Sequence, residues 1–209
     1  MFFNADLIGF CVSLIYIINL KNMEPIKEVV LEKIYDAPIG KVWKAWTDAE
    51  MLKQWWGPKN VVIPECEVDL RVGGKFYIVM EAGEGMGQFM GTKWPMTAEF
   101  TVVEPNLKLF YKAQAWTEGP SKEETMIDQT TEVTFAKEGD KTKVRVKAAI
   151  HKTGPKAKMA VEGMEYGFTE QLEKLKDFLE AKKNCHAISV VLSRYFPSIL
   201  LSKFLIVRE

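Results

Sequence analysis

Few side chains in this sequence combine the type and spacing that metal binding or nucleophilic catalysis requires. His151 and His186 are its two histidines, and neither has a partner at metal-ligand spacing. Cys11, Cys66 and Cys185 lie far apart without a CxxC pair, which argues against a zinc site or disulfide framework and is typical of a reducing compartment. There is no HExxH, GxSxG or phosphate-loop motif. We therefore expect a cytoplasmic protein without a metal or other cofactor.

Three side chains remain as candidates for chemistry. Tyr111 lies in the inward phase of a predicted strand, where its phenol could donate a hydrogen bond to a ligand carbonyl. His151 follows Ile150 and is predicted to point outward near a strand end, as a solvated histidine or as a base. Cys66 is predicted to face inward, where a thiol among apolar neighbours is usually inert. Catalysis through Tyr111 or His151 and binding without catalysis are both open hypotheses.

Composition and charge describe an ordinary globular protein. Its 209 residues are 47% hydrophobic and 27% charged, enough for one good-sized core or two small ones. Its 28 basic and 28 acidic side chains give a formal net charge of zero. A neutral chain has no field that would attract nucleic acid or an anionic membrane. We therefore expect no nucleic-acid partner.

Both ends of the chain are apolar and differ from the middle. We predict a domain over residues 23–184, with an apolar extension before it (1–22) and another after it (185–209). Three interpretations of the extensions are open: a weak membrane anchor, additional packing elements, or sequence outside the evolved domain. The third is favoured because Met23 begins a stretch, Met-Glu-Pro-Ile-Lys, that would be a normal start for a soluble protein.

A membrane-spanning segment is a poor match to either end. The uncharged run 7–20 is shorter than the roughly 20 residues that span a bilayer. No basic residue precedes it, so it does not match a secretory signal either. Arg194, Pro197 and Lys203 interrupt the second apolar segment, although the two cations could snorkel from an interfacial helix. A membrane is therefore an unlikely partner except through these ends.

The middle of the chain contains seven segments with the composition of β-strands. The first is rich in β-branched and aromatic residues. The other six alternate apolar and polar residues, which indicates an antiparallel meander with one buried and one solvent-exposed face. Glycines at 83, 85 and 87 lie between two of these segments and are interpreted as a mobile hairpin loop. The predicted strands are 29–35, 62–70, 75–81, 98–103, 107–114, 131–135 and 143–150.

Helical periodicity appears in two other places. Residues 41–56 have apolar residues at roughly helical spacing, and a cap signal at 47–50 divides them into two short helices. A long amphipathic helix is predicted over 156–182, with Gln171 among its inward-facing positions. Gly163 and Gly167 lie on its inner side and cost roughly 1 kcal/mol each relative to alanine. That cost is explained if the helix must approach a curved sheet closely or leave room beneath it.

A curved sheet and a helix that it surrounds cannot close on each other completely, so a cavity between them is expected. Pro58 and the loop 83–87 are predicted to lie near its openings. The tryptophans and methionines could equally be core residues, and that alternative stays open. The candidate ligand-binding residues are Trp46, Trp55, Trp56, Phe76, Ile78, Met80, Phe100, Tyr111, Met159, Met164 and Phe168.

Four motifs follow one another along the chain: Pro38 to Trp46, Trp55-Trp56-Gly57-Pro58, the Asp69 to Phe76 segment with Gly73-Gly74, and Glu104-Pro105-Asn106-Leu107. In this order they resemble the SRPBCC superfamily, which has the START or Bet v 1-like helix-grip fold. Within it, the chain is most similar to the family homologous to the C-terminal domain of the activator of heat-shock protein 90 ATPase. The resemblance implies an α+β fold, with a curved antiparallel sheet wrapped around a long C-terminal helix and two short helices after the first strand.

The resemblance implies three functions. Family members resemble carriers or sensors of small hydrophobic ligands, and some relatives are cyclases or hydrolases. The chaperone activator has an additional N-terminal domain, whereas only a short segment precedes the first predicted strand here. We therefore expect a small hydrophobic ligand as the partner, with an enzyme and a chaperone-interacting module as alternatives.

Overall fold

An antiparallel sheet dominates the computed structural model, which describes residues 24–195, with side chains as far as residue 181. Its strands are β1 (Lys27–Tyr35), β2 (Val61–Val68), β3 (Lys75–Ala82), β4 (Lys93–Glu104), β5 (Lys108–Ala115), β6 (Ile127–Glu138) and β7 (Lys141–Thr153). Within the described residues these seven strands form one sheet in the order β1-β7-β6-β5-β4-β3-β2. The first strand thus pairs with the last, and the sheet curls into a half-barrel.

Helices occupy the concave side and the connections of this sheet. They are α1 (Ile39–Thr47), α2 (Ala49–Trp55), the short α3 (Lys122–Thr125) and the long α4 (Lys158–Tyr195). A 3-10 segment, Glu84–Phe89, occupies the place of the predicted glycine loop, and α3 was not predicted. The predicted α+β fold, a curved antiparallel sheet around a C-terminal helix with two short helices after the first strand, is confirmed.

The break between α1 and α2 follows from one side chain. The Asp48 carboxylate accepts hydrogen bonds from the backbone N–H groups of Glu50 and Met51, both at 3.1 Å. These donors have no partner inside the helix at its first turn, so an aspartate there stabilises the start of α2. The cap signal predicted at 47–50 is therefore present in the structure.

The Gly73-Gly74 pair of the third motif makes a tight turn between β2 and β3. Gly73 has a φ of +76°, which side-chain-bearing residues rarely adopt. A Cβ atom added to Gly74 would lie 2.0 Å from the carbonyl oxygen of Asp69. Both glycines are therefore explained by backbone geometry.

Strand alternation predicts the buried face with a few exceptions. Val62 was assigned to the inward phase of β2 but is 54% exposed, because the register shifts between Val62 and Glu65. A bulge of this kind adds a residue to one strand and exchanges its two faces. Val61 and Ile63 are buried before the bulge, and Cys66 is buried after it. Leu70 and Leu107 lie outside the strands and are exposed, also contrary to the predicted phase.

Helix α4 is divided into a packed half and an open half. Leu172, Leu175 and Leu179 are buried in the main core against the sheet and the two short helices. Earlier in the helix, Ala160 and Gly163 are exposed. A smaller apolar cluster below the helix start is formed by Ile127, Ile150 and Ala157, with Val161 and Met164 against it. Space is therefore left beneath the first half of α4.

Polar contacts fix α4 along the edge strand β1. Lys27 Nζ donates to the carbonyl oxygen of Val161 at 2.8 Å. The buried Tyr35 hydroxyl donates to the carbonyl oxygen of Leu172 at 3.2 Å. Because these bonds lie more than two helical turns apart, they hold the open half of the helix as well as the packed half.

The apolar ends fall largely outside the described residues. This is true of 1–22 and of 196–209, while 185–195 contribute helix backbone only. Within the described part of the chain, no helix combines the length and apolarity needed to cross a bilayer. The three interpretations of the ends stay predictions.

Candidate ligand-binding cavity

A cavity of about 310 Å³ lies between the sheet and the open half of α4. This volume is at the small end of the range usual for ligand pockets, about 300–1,000 Å³. Ala160 and Gly163 are exposed and also line it, so the cavity opens beside the first turns of the helix. The wall consists of Trp56, Pro58, Val61, Met80, Met86, Trp94, Met96, Tyr111, Ala115, Trp116, Thr117, Thr125, Ile127, Gln129, Ala160, Gly163, Met164, Gly167, Phe168 and Gln171.

An aromatic cluster separates the cavity from the main core. The Trp56 ring meets Phe76 edge to face, with ring centroids 5.4 Å apart. Tyr111 meets Phe76 and Phe100 in the same way, at 6.0 Å and 5.9 Å. Trp56 and Tyr111 thus pack on the core with one side and line the cavity as well. Edge-to-face contacts restrict the orientation of the rings, so this side of the cavity is rigid.

Helix α4 has no side chain at two of the positions where it lines the cavity. Gly163 and Gly167 line the cavity, and no atom lies within 4 Å of the place where a Cβ would be at either residue. The prediction that these glycines leave room beneath the helix agrees with this geometry. Phe168 and Met164 from the same helix complete this side.

Lys174 fixes the loop that forms the opposite wall. Its ammonium nitrogen lies 3.1 Å, 3.2 Å and 3.3 Å from the carbonyl oxygens of Trp56, Pro58 and Val61. Burial lowers the pKa of Lys174, and the nearby Glu170 carboxylate acts in the opposite direction. One half-buried side chain therefore holds three backbone acceptors of the loop at once.

Two neighbouring residues of α4 hold the same loop through its N–H groups. Gln171 Oε1 accepts a hydrogen bond from the Gly57 amide at 3.3 Å. Glu170 Oε2 accepts one from the Lys59 amide at 3.1 Å. Since Gln171 also lines the cavity, the loop and the helix form one continuous wall.

The cavity wall is apolar, with a few neutral polar groups. Within the part of the chain that the structure describes, no Asp, Glu, Lys, Arg or His belongs to it, and Tyr111 is its one ionisable side chain. Burial raises the pKa of Tyr111 well above its ordinary value, because the phenolate would lose its hydration. Thr131, its cross-strand partner, is also buried, and Gln129 is 8% exposed. At neutral pH the wall can donate and accept hydrogen bonds but has no group poised to exchange a proton.

The other two candidates for chemistry lie elsewhere. His151 Nε2 is 2.8 Å from Thr130 Oγ1, and neither residue lines the cavity. Cys66 is buried in the main core, where burial raises the pKa of its thiol to about 11. Among the residues that the structure describes, no group of three His, Cys, Asp or Glu side chains could hold a metal ion.

The structure separates the predicted site residues into two sets. On the cavity wall lie Trp56, Met80, Tyr111, Met164 and Phe168. In the main core, and not among the lining residues, lie Trp46, Trp55, Phe76, Ile78 and Phe100. Met159, in the first turn of α4, belongs to neither set and is 69% exposed. The core set and Met159 thus do not line this cavity, and contact of any predicted residue with a ligand stays a prediction.

Several wall residues were not predicted. Gln171 interrupts an otherwise apolar helical stripe, a signal that could have identified it. Gln129 has the same strand phase as the inward-facing Thr131. Trp94 was not predicted because β4 begins at Lys93, earlier than the predicted strand. Trp116 was not predicted because it follows the end of β5.

Fold and cavity together define a helix-grip protein with an apolar interior. The family model described as "Activator of Hsp90 ATPase homolog 1-like protein" matches residues 36–180, and the chain belongs to this family. A comparison with curated proteins finds no match.

Solved structures of the same fold come from several bacteria. A crystal structure of a Nitrosomonas europaea protein is 26% identical over 75% of this chain and 96% of its own, with a TM-score of 0.59. A solution structure from Arthrobacter aurescens is 25% identical over 74% of this chain and 86% of its own, also at 0.59. A Chromobacterium violaceum protein, 21% identical over 74% and 98% with a TM-score of 0.58, shares the fold.

Proposed function

We propose that this protein binds a small hydrophobic or amphipathic molecule between the concave face of the sheet and α4. The main support is the cavity of about 310 Å³ with its wall of tryptophan, methionine and phenylalanine side chains. Removing apolar surface from water contributes about 25 cal/mol per Å². The methionines adapt to irregular contents, and the few polar groups orient the guest.

The loss of folding stability that an unfilled cavity causes also supports the proposal. At about 24 cal/mol per Å³, a sealed void of this size in a packed core would cost about 7 kcal/mol. That is comparable to the total stability of a typical domain, about 5–15 kcal/mol. The opening beside Gly163 reduces this cost, but the helix still carries two glycines that a packed interface would not need. Occupancy by a ligand explains why the space is kept open.

The test is a binding screen on the full chain. Native mass spectrometry of protein purified without denaturation should show a bound small molecule. A thermal-shift screen should show a rise in Tm with some neutral hydrophobic compounds, since a ligand that binds the folded state stabilises it. Absence of both signals across chemically diverse compounds would count against the proposal.

An enzyme of the cyclase or hydrolase kind is supported less well. Tyr111 is the one ionisable side chain that the described residues contribute to the wall, and its raised pKa makes it a poor base at neutral pH. Loss of turnover in Tyr111→Phe, with unchanged stability, would be required for this alternative.

The family description favours a second candidate, a module that acts on the Hsp90 chaperone. Leu70 and Val72 are exposed in the β2–β3 turn, where an apolar contact could form. Co-purification with Hsp90 at moderate salt, lost in Val72→Asp, would support it. Retention of binding in Val72→Asp would place the contact elsewhere.

A further inference from the structure

The wall of the cavity bears no formal charge, and this restricts what can enter it. Among the described residues, none of its side chains is a carboxylate, ammonium, guanidinium or imidazole. An ion transferred from water into an apolar site without a counter-ion is strongly unfavourable, far more so than a neutral polar group. Ligands of either sign are therefore disfavoured.

Two charged groups of α4 behind the wall are already engaged with protein partners. The Lys174 ammonium donates to three backbone carbonyls of the wall loop. The Glu170 carboxylate accepts from the Lys59 amide and, at 2.6 Å, from the Tyr166 hydroxyl. Neither residue lines the cavity, so neither supplies a counter-ion to a guest.

Gln171 lines the cavity and carries a buried donor whose orientation is fixed. The side chain is only 5% exposed, and its Oε1 is occupied by the Gly57 N–H. Since an N–H group can donate only to the amide oxygen, this bond assigns Oε1 to the Gly57 side and leaves Nε2 as a donor on the other side. Nε2 is buried and has no hydrogen-bond partner among the described residues. A buried donor without a partner is unfavourable, and an acceptor on a guest would remove that cost.

The volume sets the size of the guest. A cavity of 150 Å³ in a protein core binds benzene, so about 310 Å³ corresponds to about ten to fifteen non-hydrogen atoms, the size of a bicyclic molecule. The rings of Trp56, Trp94, Trp116 and Phe168 line the space. A flat ring system fits such a wall.

We propose that the ligand is an uncharged compound of bicyclic size whose carbonyl-type oxygen accepts a hydrogen bond from Gln171 Nε2. This inference rests on the proposed binding function and specifies its ligand class. The apolar part of the ligand packs among the tryptophan and methionine side chains, and the single acceptor sets its orientation.

The test uses four compounds with one skeleton: 1-tetralone, tetralin, 1-aminotetralin and tetralin-1-carboxylate. Dissociation constants are measured at neutral pH on the full chain by titration calorimetry or ligand-observed NMR. We expect the ketone to bind about 5- to 20-fold more tightly than the hydrocarbon, and both ions to bind more weakly than the hydrocarbon. In Gln171→Met the ketone should bind no better than the hydrocarbon. Gln54→Met, exposed on α2, is the matched control and should bind like the wild type.

The outcomes distinguish this inference from the function on which it rests. Equal binding of ketone and hydrocarbon, or tight binding of either ion, overturns the ligand class but leaves hydrophobic binding in place. Failure of this series and of the broader screen overturns both. The wild-type comparison does not depend on the variant folding. In wild-type protein labelled with ¹⁵N, the Gln171 side-chain signals should move with the ketone and stay nearly unchanged with the hydrocarbon.

Discussion

The ammonium nitrogen of Lys174 lies 3.1 Å from the carbonyl oxygen of Trp56, and the same group also reaches Pro58 and Val61. A residue of the last described helix thus holds the loop that begins with the second tryptophan of the Trp-Trp-Gly-Pro motif. Packing alone would leave three carbonyls of this loop without these bonds. The ammonium therefore sets the distance between helix and loop, and with it the width of the cavity.

Replacing Lys174 with methionine should destabilise the protein. The change keeps an unbranched apolar stem but removes the donor from three partly buried carbonyls, so we expect a loss of about 2–3 kcal/mol in the free energy of unfolding. Lys176→Met, on the exposed face of the same helix, is the control and should change stability by less than about 0.5 kcal/mol. Urea denaturation measures both, and similar losses in the two variants would contradict the assigned role of Lys174.

Filling the space below α4 should abolish ligand binding without unfolding the protein. No atom lies within 4 Å of a Cβ placed at Gly167, so a leucine there extends into the cavity. We expect Gly167→Leu to lose the ligand-induced rise in Tm. Glu165→Leu adds the same side chain on the exposed side of the helix and should keep that rise. Normal binding by Gly167→Leu would show that the guest lies elsewhere.

Gly163→Ala should stabilise the protein. The added methyl group meets open space, and alanine restricts the unfolded chain more than glycine does. We expect a gain of about 0.4–1 kcal/mol in the free energy of unfolding, measured by urea denaturation. A loss of stability would mean that the helix backbone needs glycine at this position for another reason.

The two adjacent tryptophans should respond differently to substitution. Trp55 is fully buried, and its Nε1 donates to the Ala45 carbonyl oxygen at 3.0 Å. Trp55→Phe should therefore lower stability by about 2–3 kcal/mol, because it leaves that carbonyl unpaired and creates a small void. Trp56→Phe should weaken ligand binding more than Trp55→Phe does, since only Trp56 lines the cavity. Denaturation and binding titrations on both variants check this, and equal effects on binding would contradict it.

The Cys66 thiol should make stability depend on pH in alkaline solution. Burial raises the pKa of this thiol from 9.0 to about 11. Above pH 9.0 the unfolded thiol ionises while the folded thiol stays protonated, so unfolding releases a proton and rising pH favours the unfolded state. The stabilising contribution is complete below that range and is lost as the pH rises towards 11.

Cys66→Ala isolates this contribution. The difference in unfolding free energy between wild type and variant should be largest at neutral pH and shrink between pH 9 and pH 11. Tyr35 and Tyr111, whose pKa values are also raised by burial, act in the same direction but are present in both proteins, so they cancel. A difference that stays constant over this range would contradict the assignment.

Away from the bulges in β2 and β4, sequence patterns were sufficient for the face of a strand but not for the position of a residue along the cavity. Ile78 and Met80 share a face of β3, and alternation correctly predicts that both point inward. Ile78 is fully buried in the core, whereas Met80 lies on the cavity wall. The difference depends on what packs against each residue from the other elements. That is a property of the tertiary structure, which the period of a strand does not contain.

The remaining errors have local causes. The bulge at Val62 reversed the phase of β2, and a single sequence gives little warning of an extra residue in a strand. Met159 matches the spacing of the helical stripe but lies in the first turn of α4 and is exposed. Gln171 lies on the predicted inner face of the helix, where a polar residue in an apolar stripe is a usable signal for a binding group.

The position of α4 after all seven strands fixes an order of assembly. During synthesis the sheet and the two short helices emerge first, and the part of the concave surface that α4 covers is bare until that helix has left the ribosome. A nascent chain that stops before Lys158 leaves this part uncovered, which exposes it to aggregation or chaperone capture. Under the proposed binding function, a guest can be enclosed as the helix docks, so loading during translation needs no opening of the finished protein.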